Sequence, residues 1–131
     1  MTFLERWFEE VWNKGNEKAI DEMALPDANT HGLEHPGGKP VHGRDAFKVF
    51  HQQFLSAFSN VHIKVERTIT EGDMTMAQCV VTGVHSGAGL GIPPTNKAVK
   101  FTGMCLARLQ DGKLAEAWNN FDLGTMYRQL Q

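Results

Sequence analysis

The spacing of apolar residues changes from a helical to a strand period near the middle of the chain. Phe47, Phe50, Phe54 and Phe58 recur at intervals of three and four residues, which is typical of one face of an amphipathic helix. From residue 60 onward apolar and polar residues alternate, as over 61–65, which indicates a half-exposed strand. Helices therefore precede strands, and this order predicts an α+β fold.

Local signals set the bounds of the predicted helices. Thr2 followed by Glu5 is a capping-box pattern, and Asn16 is a favourable N-cap. Residues 26–43 contain three prolines and four glycines and are predicted to form a loop. The predicted helices span about residues 2–14, 16–23 and 44–58.

Four strands joined by hairpins are predicted in the second half of the chain. They span about residues 60–70, 74–85, 98–109 and 113–122. Asp111-Gly112 lies between the last two strands and is typical of a tight hairpin turn. The N-terminal helices can pack on only one face of such a sheet. We therefore predict helices packed on a strongly curved antiparallel sheet, forming a cone with a cavity inside.

The last predicted strand carries the candidate site. Side chains of an extended strand alternate between its faces, so one face holds Leu114, Glu116, Trp118, Asn120 and Asp122. Two carboxylates, an indole and an amide make a poor core, because a buried charge without a partner is costly. We predict that this face forms a wall of a ligand cavity, with Asp122 at or near the reactive position.

Composition excludes several classes of function. A chain of 131 residues predicts a single domain over 1–131. The formal net charge of −2 gives no basic footprint for nucleic acid, and no apolar run is long enough to span a membrane. The N-terminus lacks the pattern of a signal peptide, so we expect a cytoplasmic protein. Cys79 and Cys105 are then expected to be free thiols, with a disulfide between neighbouring strands as the alternative.

One short motif resembles a metal site. His31, Glu34 and His35 spell the pattern of a zinc peptidase. That pattern requires a helix to place both histidines on one face, and Gly32 and 36–38 (Pro-Gly-Gly) are helix breakers. We therefore predict no metal site here.

Two tracts resemble SnoaL-like polyketide (ester) cyclases. Residues 85–97 read His-x-Gly and then Gly-x-Pro-Pro-Thr-Asn-Lys, where the family usually has Gly in place of Asn96. Residues 111–130 hold the pattern Glu116-x-Trp118-x-x-x-Asp122 before Gln-Leu. The tracts Trp-Asn-x-Gly-Asn at 12–16 and Val-His-Gly-Arg-Asp at 41–45 fit as well. The resemblance covers nearly the whole chain and implies an NTF2-like cone fold, usually as a homodimer, with no cofactor.

The resemblance also implies a reaction. Cyclases of this family close a ring by intramolecular aldol condensation, in which an aspartate takes a proton from a carbon between carbonyls. Asp122 falls on the family's acid/base position and is predicted to be the general base for an enolisable, polycarbonyl-type ligand in the cone cavity. The alternative for Asp122 is an N-cap of the following turn. The alternative function is a non-catalytic small-molecule-binding or dimerisation module; epoxide hydrolysis lacks a convincing second aspartate.

The remaining candidate residues complete the predicted site. His85 and His31 are the candidate proton donors or oxyanion partners, with a structural or surface histidine as the alternative for each. Trp118, Asn120 and Glu116 are the predicted substrate-binding walls, with core packing as the alternative for Trp118. Phe54 comes from an aromatic stripe whose spacing is typical of a core and which can also floor a pocket. The glycines of segment 86–96 are predicted to form a flexible hairpin over the pocket mouth. We expect a homodimer through the outer face of the sheet and no nucleic-acid or membrane partner.

Overall fold

The computed structural model describes residues 1–34 and 40–131. In these residues four α-helices and a π-helical segment accompany a six-stranded sheet. The helical elements are α1 (Phe3–Trp7), the π segment (Phe8–Asn13), α2 (Glu17–Met23), α3 (Arg44–Ala57) and α4 (Leu123–Gln129). The strands are β1 (Ala24–Glu34), β2 (Pro40–His42), β3 (Phe58–Glu71), β4 (Met74–His85), β5 (Ala98–Gln110) and β6 (Lys113–Phe121). No helix in this part of the chain has the length and apolarity that crossing a membrane requires.

The helix starts follow from the capping residues. Thr2 Oγ1 accepts a hydrogen bond from the Glu5 amide at 3.3 Å, and Glu5 Oε1 accepts one from the Thr2 amide at 3.1 Å. The side chain of Asn16 accepts from the Lys18 amide at 3.2 Å. Both predicted caps are therefore confirmed, since each satisfies an amide that the first turn of a helix leaves unpaired.

The N-terminal helical run is fixed to the sheet edge at its end. After α1 it widens into the π segment, in the part that the sequence predicts as α-helix. Asn13 ends this segment. Its side-chain Oδ1 accepts a hydrogen bond from the Ile63 N–H at 2.6 Å, and its Nδ2 donates one to the Ile63 carbonyl at 3.0 Å. One side chain thus satisfies both backbone groups of a residue on β3, which positions Phe8 and Trp12 over the sheet.

The sheet has the order β2-β1-β6-β5-β4-β3 and is mixed. β1 runs parallel to β6, whereas the other neighbouring strands are antiparallel. The α+β fold with helices on one face is confirmed, but the prediction of a loop over 26–43 is wrong for the residues that β1 and β2 contain. Pro26 and Gly32 obscured the pattern expected of a strand, and β6, one of the two strands that pair with β1, lies more than 80 residues away along the chain.

The sheet has two unlike faces. Along β4 every second residue is buried, beginning with Thr75 and Ala77. We call the face that the helices cover the inner face and the opposite one the outer face. α4 is hydrogen-bonded to β5 through the side chain of Gln129. Its Oε1 accepts from the Lys100 N–H at 2.8 Å, and its Nε2 donates to the Lys100 carbonyl at 2.9 Å.

The glycine-rich segment packs tightly on the end of α3. A Cβ atom on Gly87 would lie 1.9 Å from the Ser56 carbonyl oxygen, and one on Gly89 would lie 2.1 Å from the Gln53 carbonyl oxygen. The Gly87 amide donates to the Ala57 carbonyl at 3.0 Å. These two glycines therefore allow close backbone approach, which is a different role from the predicted flexible hairpin.

Candidate functional site

An apolar cavity lies between the N-terminal helical run, α3 and the inner face of the sheet. Its volume, counted as the space that the centre of a water molecule can occupy, is about 60 Å³. Its walls are largely aromatic and include Trp7, Phe8, Trp12, Phe47, Phe50, Phe54, Phe101 and Phe121. A concave apolar cavity with few polar groups is the usual form of a small-molecule site.

Trp12 organises the aromatic wall. Its ring meets Phe47 at 6.0 Å and Phe54 at 5.4 Å between centroids, with interplanar angles of 90° and 86°. Edge-to-face contacts of this kind are favourable, so the rings hold one another in place. Phe54 lines the cavity, and its predicted contact with a ligand stays a prediction.

Two neighbouring polar side chains, Thr30 and Asn119, face this cavity. Thr30 on β1 is 6% exposed, and its Oγ1 has no hydrogen-bond partner in the described part of the chain. Asn119 on β6 donates from Nδ2 to the His31 carbonyl at 3.1 Å. Thr30 pairs with Ala117 in the parallel β1–β6 ladder, and Asn119 is the next inward-facing residue of β6. Neither residue was predicted from the sequence to line the cavity, because Thr30 was assigned to a loop and Asn119 to the strand face opposite the predicted cavity wall.

The face of β6 that lines the cavity is the opposite of the predicted one. Ala117, Asn119 and Phe121 face the cavity, so the alternating Glu116, Trp118, Asn120 and Asp122 face outward. Leu114 also lines the cavity. In the pairing of β5 with β6, Arg108 lies opposite Glu116 and the next residue, Leu109, lies opposite Leu114. One extra residue of β6 therefore stands between Leu114 and Glu116 as a bulge, which puts their side chains on opposite faces. The prediction that the charged face forms the cavity wall is therefore wrong. The carboxylates of Glu116 and Asp122 face outward because they reach solvent there. Asn119 can face inward because its side-chain amide donates a hydrogen bond to a backbone carbonyl.

Asp122 is an exposed N-cap of α4. Its Oδ1 accepts from the Thr125 amide at 3.0 Å, and its Oδ2 accepts from the Thr125 hydroxyl at 2.6 Å. These hydrogen bonds, with a smaller contribution from the Arg128 charge, lower the pKa of the Asp122 carboxyl. A carbon base at neutral pH is favoured by a raised pKa. The capping alternative is confirmed, and the role of Asp122 as a base stays a prediction.

His31, Glu116 and Trp118 meet on the outer face. His31 Nε2 lies 2.6 Å from Glu116 Oε2, and Arg108 lies 3.7 Å from the other carboxylate oxygen. The imidazole stacks on the Trp118 indole at 5.5 Å with an interplanar angle of 20°. This cluster is partly exposed and points away from the cavity. Asn120 also points outward, in a shallow groove that includes Asp122.

His85 is fully buried beneath the segment that follows it. Its Nδ1 accepts from the Thr95 amide at 3.1 Å and lies 3.0 Å from the Thr95 hydroxyl. Its ring packs 5.4 Å from Phe58. Because Nδ1 accepts, Nε2 is assigned the proton. His85 therefore fixes the segment 86–96 in place, and the structure does not bring His85, His31 and Asp122 together.

Burial favours the neutral form of three further ionisable side chains, Cys105, Cys79 and His51. Cys105 lines the cavity, and burial raises the pKa of its thiol to about 12. The pKa of Cys79 is raised in the same way, and both cysteines are free, as predicted. A thiol with so high a pKa is a poor nucleophile at neutral pH. His51 is buried against the Val11 carbonyl at 2.6 Å, and burial lowers the pKa of this histidine.

The described residues of the apparent zinc motif lie on a strand, whereas the motif requires a helix. His31 and Glu34 are on β1, which is a strand, and His35 lies outside the described residues. Over residues 1–34 and 40–131, no group of three or more His, Cys, Asp or Glu side chains is arranged to hold a metal ion.

Known proteins share both the sequence pattern and the fold. The family model of the SnoaL-like polyketide cyclases matches residues 2–130. The structure of a protein described as a SnoaL-like polyketide cyclase from Jannaschia sp. CCS1 is 25% identical, with a TM-score of 0.84 over 98% of this chain and 88% of that one. IdmH of Streptomyces antibioticus, described as a polyketide cyclase, is 28% identical, with a TM-score of 0.83 over 98% of this chain and 95% of that one.

A more distant structure shares the fold alone. A protein from Catenulispora acidiphila with a ketosteroid isomerase-like fold, in complex with trimethylamine, is 16% identical. Its TM-score is 0.79 over 97% of this chain and 90% of that one. Among curated proteins no match was found. Since the family model spans almost the whole sequence, this chain belongs to the SnoaL-like polyketide cyclase family and has its NTF2-like fold.

Proposed function

We propose that the protein is a cyclase that binds a small, apolar, enolisable molecule in the cavity and favours its ring closure. The observation that carries this proposal is the aromatic-walled cavity with Thr30 and Asn119 side by side on its wall. The relatives described as polyketide cyclases support the same class of reaction.

Confinement is the first contribution that such a cavity can make. A flexible polycarbonyl chain samples many conformations in water, and few of them bring two reacting carbons together. Rigid walls such as the Trp12, Phe47 and Phe54 cluster restrict those conformations, and correct positioning alone can supply a large share of a rate enhancement. The Thr30 hydroxyl can donate a hydrogen bond to a carbonyl oxygen as negative charge develops there, in surroundings where water does not compete.

Two candidate mechanisms for ring closure differ in whether a side chain of the protein acts as the base. No Asp, Glu, His, Lys or Arg is found among the described residues that line the cavity. Asp122 stands at its rim, because Phe121 before it and Leu123 after it both line the cavity. Asp122 would act as general base only after its carboxylate leaves Thr125. We therefore propose confinement as the leading mechanism. In it the enol form of the ligand attacks its own carbonyl carbon, a carbon–carbon bond forms, and the enol proton passes to the carbonyl oxygen, which becomes a hydroxyl group. Asp122 as base is the second candidate.

The same absence of charge favours one other function. A cavity whose described wall residues carry no charge is well suited to hold an apolar molecule unchanged. Non-catalytic binding is therefore the second candidate function, and turnover of a bound compound distinguishes it from the first.

An assay with aryl-substituted 1,5-diketones tests the proposal. We expect the wild type to accelerate aldol ring closure, measured by liquid chromatography and mass spectrometry. Ala117→Leu should lower that rate, because the larger side chain fills cavity space beside Thr30. Asp122→Asn should retain the rate and the melting temperature, since asparagine is as good an N-cap as aspartate.

Each result of this assay has a distinct meaning. A fall of ~10²–10⁴-fold in Asp122→Asn at unchanged melting temperature would make Asp122 the base. Binding of the diketones by the wild type without any product would favour the non-catalytic function. A rate that is unaffected by Ala117→Leu would place the reaction outside the cavity.

We also propose that two copies associate through the outer face of the sheet. Ile69, Met76, Leu106 and Trp118 are paired in register across four strands and form one apolar row. Ile69 is 62% exposed. Exposed apolar patches of this extent commonly mark interfaces. The next row contains Arg108 paired with Glu116. In a twofold dimer, Arg108 of one copy can lie against Glu116 of the other, where their opposite charges attract.

Leu106→Glu tests this association. A charge in the middle of the apolar row should convert a dimer into a monomer while leaving the circular dichroism spectrum unchanged, because residue 106 faces outward. Light scattering coupled to size-exclusion chromatography gives the mass. Val49→Glu, on the exposed side of α3, is the matched control and should stay dimeric. A monomeric wild type at tens of micromolar would contradict the proposal.

A further inference from the structure

We infer that the ligand of the cavity is uncharged and places a hydroxyl group, phenolic or enolic, against Thr30 and Asn119. The inference rests on the proposed function only in that it takes the cavity as the ligand site. It names the chemical class of the molecule, which the fold alone leaves open.

The first support is the Thr30 hydroxyl. Its side chain is 6% exposed, and Oγ1 has neither a hydrogen-bond partner within residues 1–34 and 40–131 nor contact with solvent. Nearly all buried polar atoms in folded proteins are paired, and each exception requires an explanation. Valine has the same shape as threonine and would fill this position on β1 without an unpaired group. A ligand atom is the partner that explains a threonine here.

The second support is the orientation of the Asn119 amide. Its Nδ2 donates to the His31 carbonyl at 3.1 Å, which fixes which way the amide points. Its Oδ1 is left as an acceptor without a partner in the described part of the chain. Asn119 is 9% exposed and lines the cavity, and we therefore assign its unpaired acceptor to the cavity wall.

The two groups together select a hydroxyl. A ligand hydroxyl can donate to Asn119 Oδ1 and accept from the Thr30 hydroxyl at the same time, since it is both donor and acceptor. A carbonyl group can accept from Thr30 but offers nothing to Oδ1. The register places Thr30 opposite Ala117, and Asn119 is two residues further along the same face, so the two side chains are diagonal neighbours on the cavity wall, and we infer that one ligand group binds both.

The charge of the ligand follows from the rest of the wall. The other described lining residues are apolar or aromatic apart from Cys105, whose thiol stays protonated because burial raises its pKa to about 12. A carboxylate or ammonium group on the ligand would lose its hydration with no opposite charge to replace it. An enol or a phenol enters such a cavity neutral.

Three two-ring probes that share one shape test the inference. 2-Naphthol carries the hydroxyl, 2-methylnaphthalene replaces it by a methyl group, and 2-naphthoate carries a charge. Isothermal titration calorimetry at pH 7 compares the wild type with Thr30→Val. Thr75→Val is the matched control, because Thr75 is equally buried but its hydroxyl is paired with Thr70 at 3.0 Å outside the cavity wall.

We expect the wild type to bind 2-naphthol more tightly than 2-methylnaphthalene by ~3–10-fold, the usual range for a neutral hydrogen bond. 2-Naphthoate should bind at least ~10-fold more weakly than 2-naphthol. Thr30→Val should remove most of the preference for 2-naphthol and leave the affinity for 2-methylnaphthalene unchanged. Its melting temperature should be no lower than that of the wild type, whereas Thr75→Val should melt lower and keep the preference.

Two kinds of failure are distinguishable. If neither neutral probe binds, the cavity is not a ligand site, and both the proposed function and this inference are overturned. If both neutral probes bind equally well, or if Thr30→Val keeps the preference for 2-naphthol, the inference is wrong while the cavity remains a ligand site. Tighter binding of 2-naphthoate would overturn the neutral class.

Discussion

Gly32→Ala is expected to destabilise the protein by at least about 3 kcal/mol, because the new methyl group would overlap the backbone of the neighbouring strand. A Cβ atom at Gly32 would lie 1.9 Å from the carbonyl oxygen of Asn119 and 2.9 Å from its carbonyl carbon. These are backbone atoms of β6 and cannot rotate away. Relief requires β1 to separate from β6 beside the cavity. The free energy of unfolding in urea measures the effect.

Gly91→Ala separates this overlap from the cost of the backbone conformation. Gly91 has φ of +81°, almost the same as the +82° of Gly32, but among the described atoms nothing lies within 4 Å of its added Cβ. A side chain in the left-handed region costs roughly 1–2 kcal/mol. We expect Gly91→Ala to lose about that much and Gly32→Ala considerably more. Equal losses in the two variants would mean that β1 and β6 adjust to the extra methyl group.

The sequence predicted best where the signal is local. The caps Thr2 and Asn16 act on amides within three residues of themselves, and Asp111-Gly112 adopts the positive φ angles that a tight hairpin requires. Alternation over β4 and β5 also follows directly from the pattern of apolar residues. These features depend on residues that are close together along the chain.

The site was harder to predict because it depends on distant pairing. The extra residue in β6 between Leu114 and Glu116 puts these two side chains on opposite faces, and its position is fixed by pairing with β5. Thr30 lines the cavity because β1 pairs with β6, a contact that bridges almost the whole chain. Thus the predicted wall of Glu116 and Trp118 became an outer surface. A charge on one face of a strand does not by itself tell whether that face meets a cavity or bulk water.

Asp122 illustrates how one residue satisfies two sequence patterns with different meanings. The sequence resemblance predicts it at the family's acid/base position, and it also lies directly before a helix. A motif match does not distinguish a cap from a base, whereas the partners of the carboxylate do. Both oxygens accept hydrogen bonds from Thr125 and the pKa of the carboxyl is lowered, which makes Asp122 a weaker proton acceptor than a carboxylate with a raised pKa.

Phe47→Ala is the second change with a large expected effect, a loss of about 3–5 kcal/mol of stability. Phe47 is 4% exposed, and its ring lies 5.5 Å from Trp7 and 6.0 Å from Trp12. Removing it takes one packing partner from each indole and enlarges the cavity that all three residues line. Chemical denaturation at low temperature measures the loss. Val49→Ala, on the same helix but at a 48% exposed position, should change stability by less than about 0.5 kcal/mol.

Added benzene distinguishes a cavity that stays open from one that collapses. Apolar cavities left by large-to-small substitutions can remain dry and bind benzene, and a ligand that binds only the folded state raises its stability. If the aromatic wall is as rigid as the edge-to-face contacts of Trp12 indicate, benzene should raise the melting temperature of Phe47→Ala by more than that of the wild type. If α3 instead moves inward, the loss of stability should be nearer the lower bound and benzene should have no larger effect. That result would mean that the cavity adapts its shape to its ligand, and it would weaken confinement as the mechanism of ring closure.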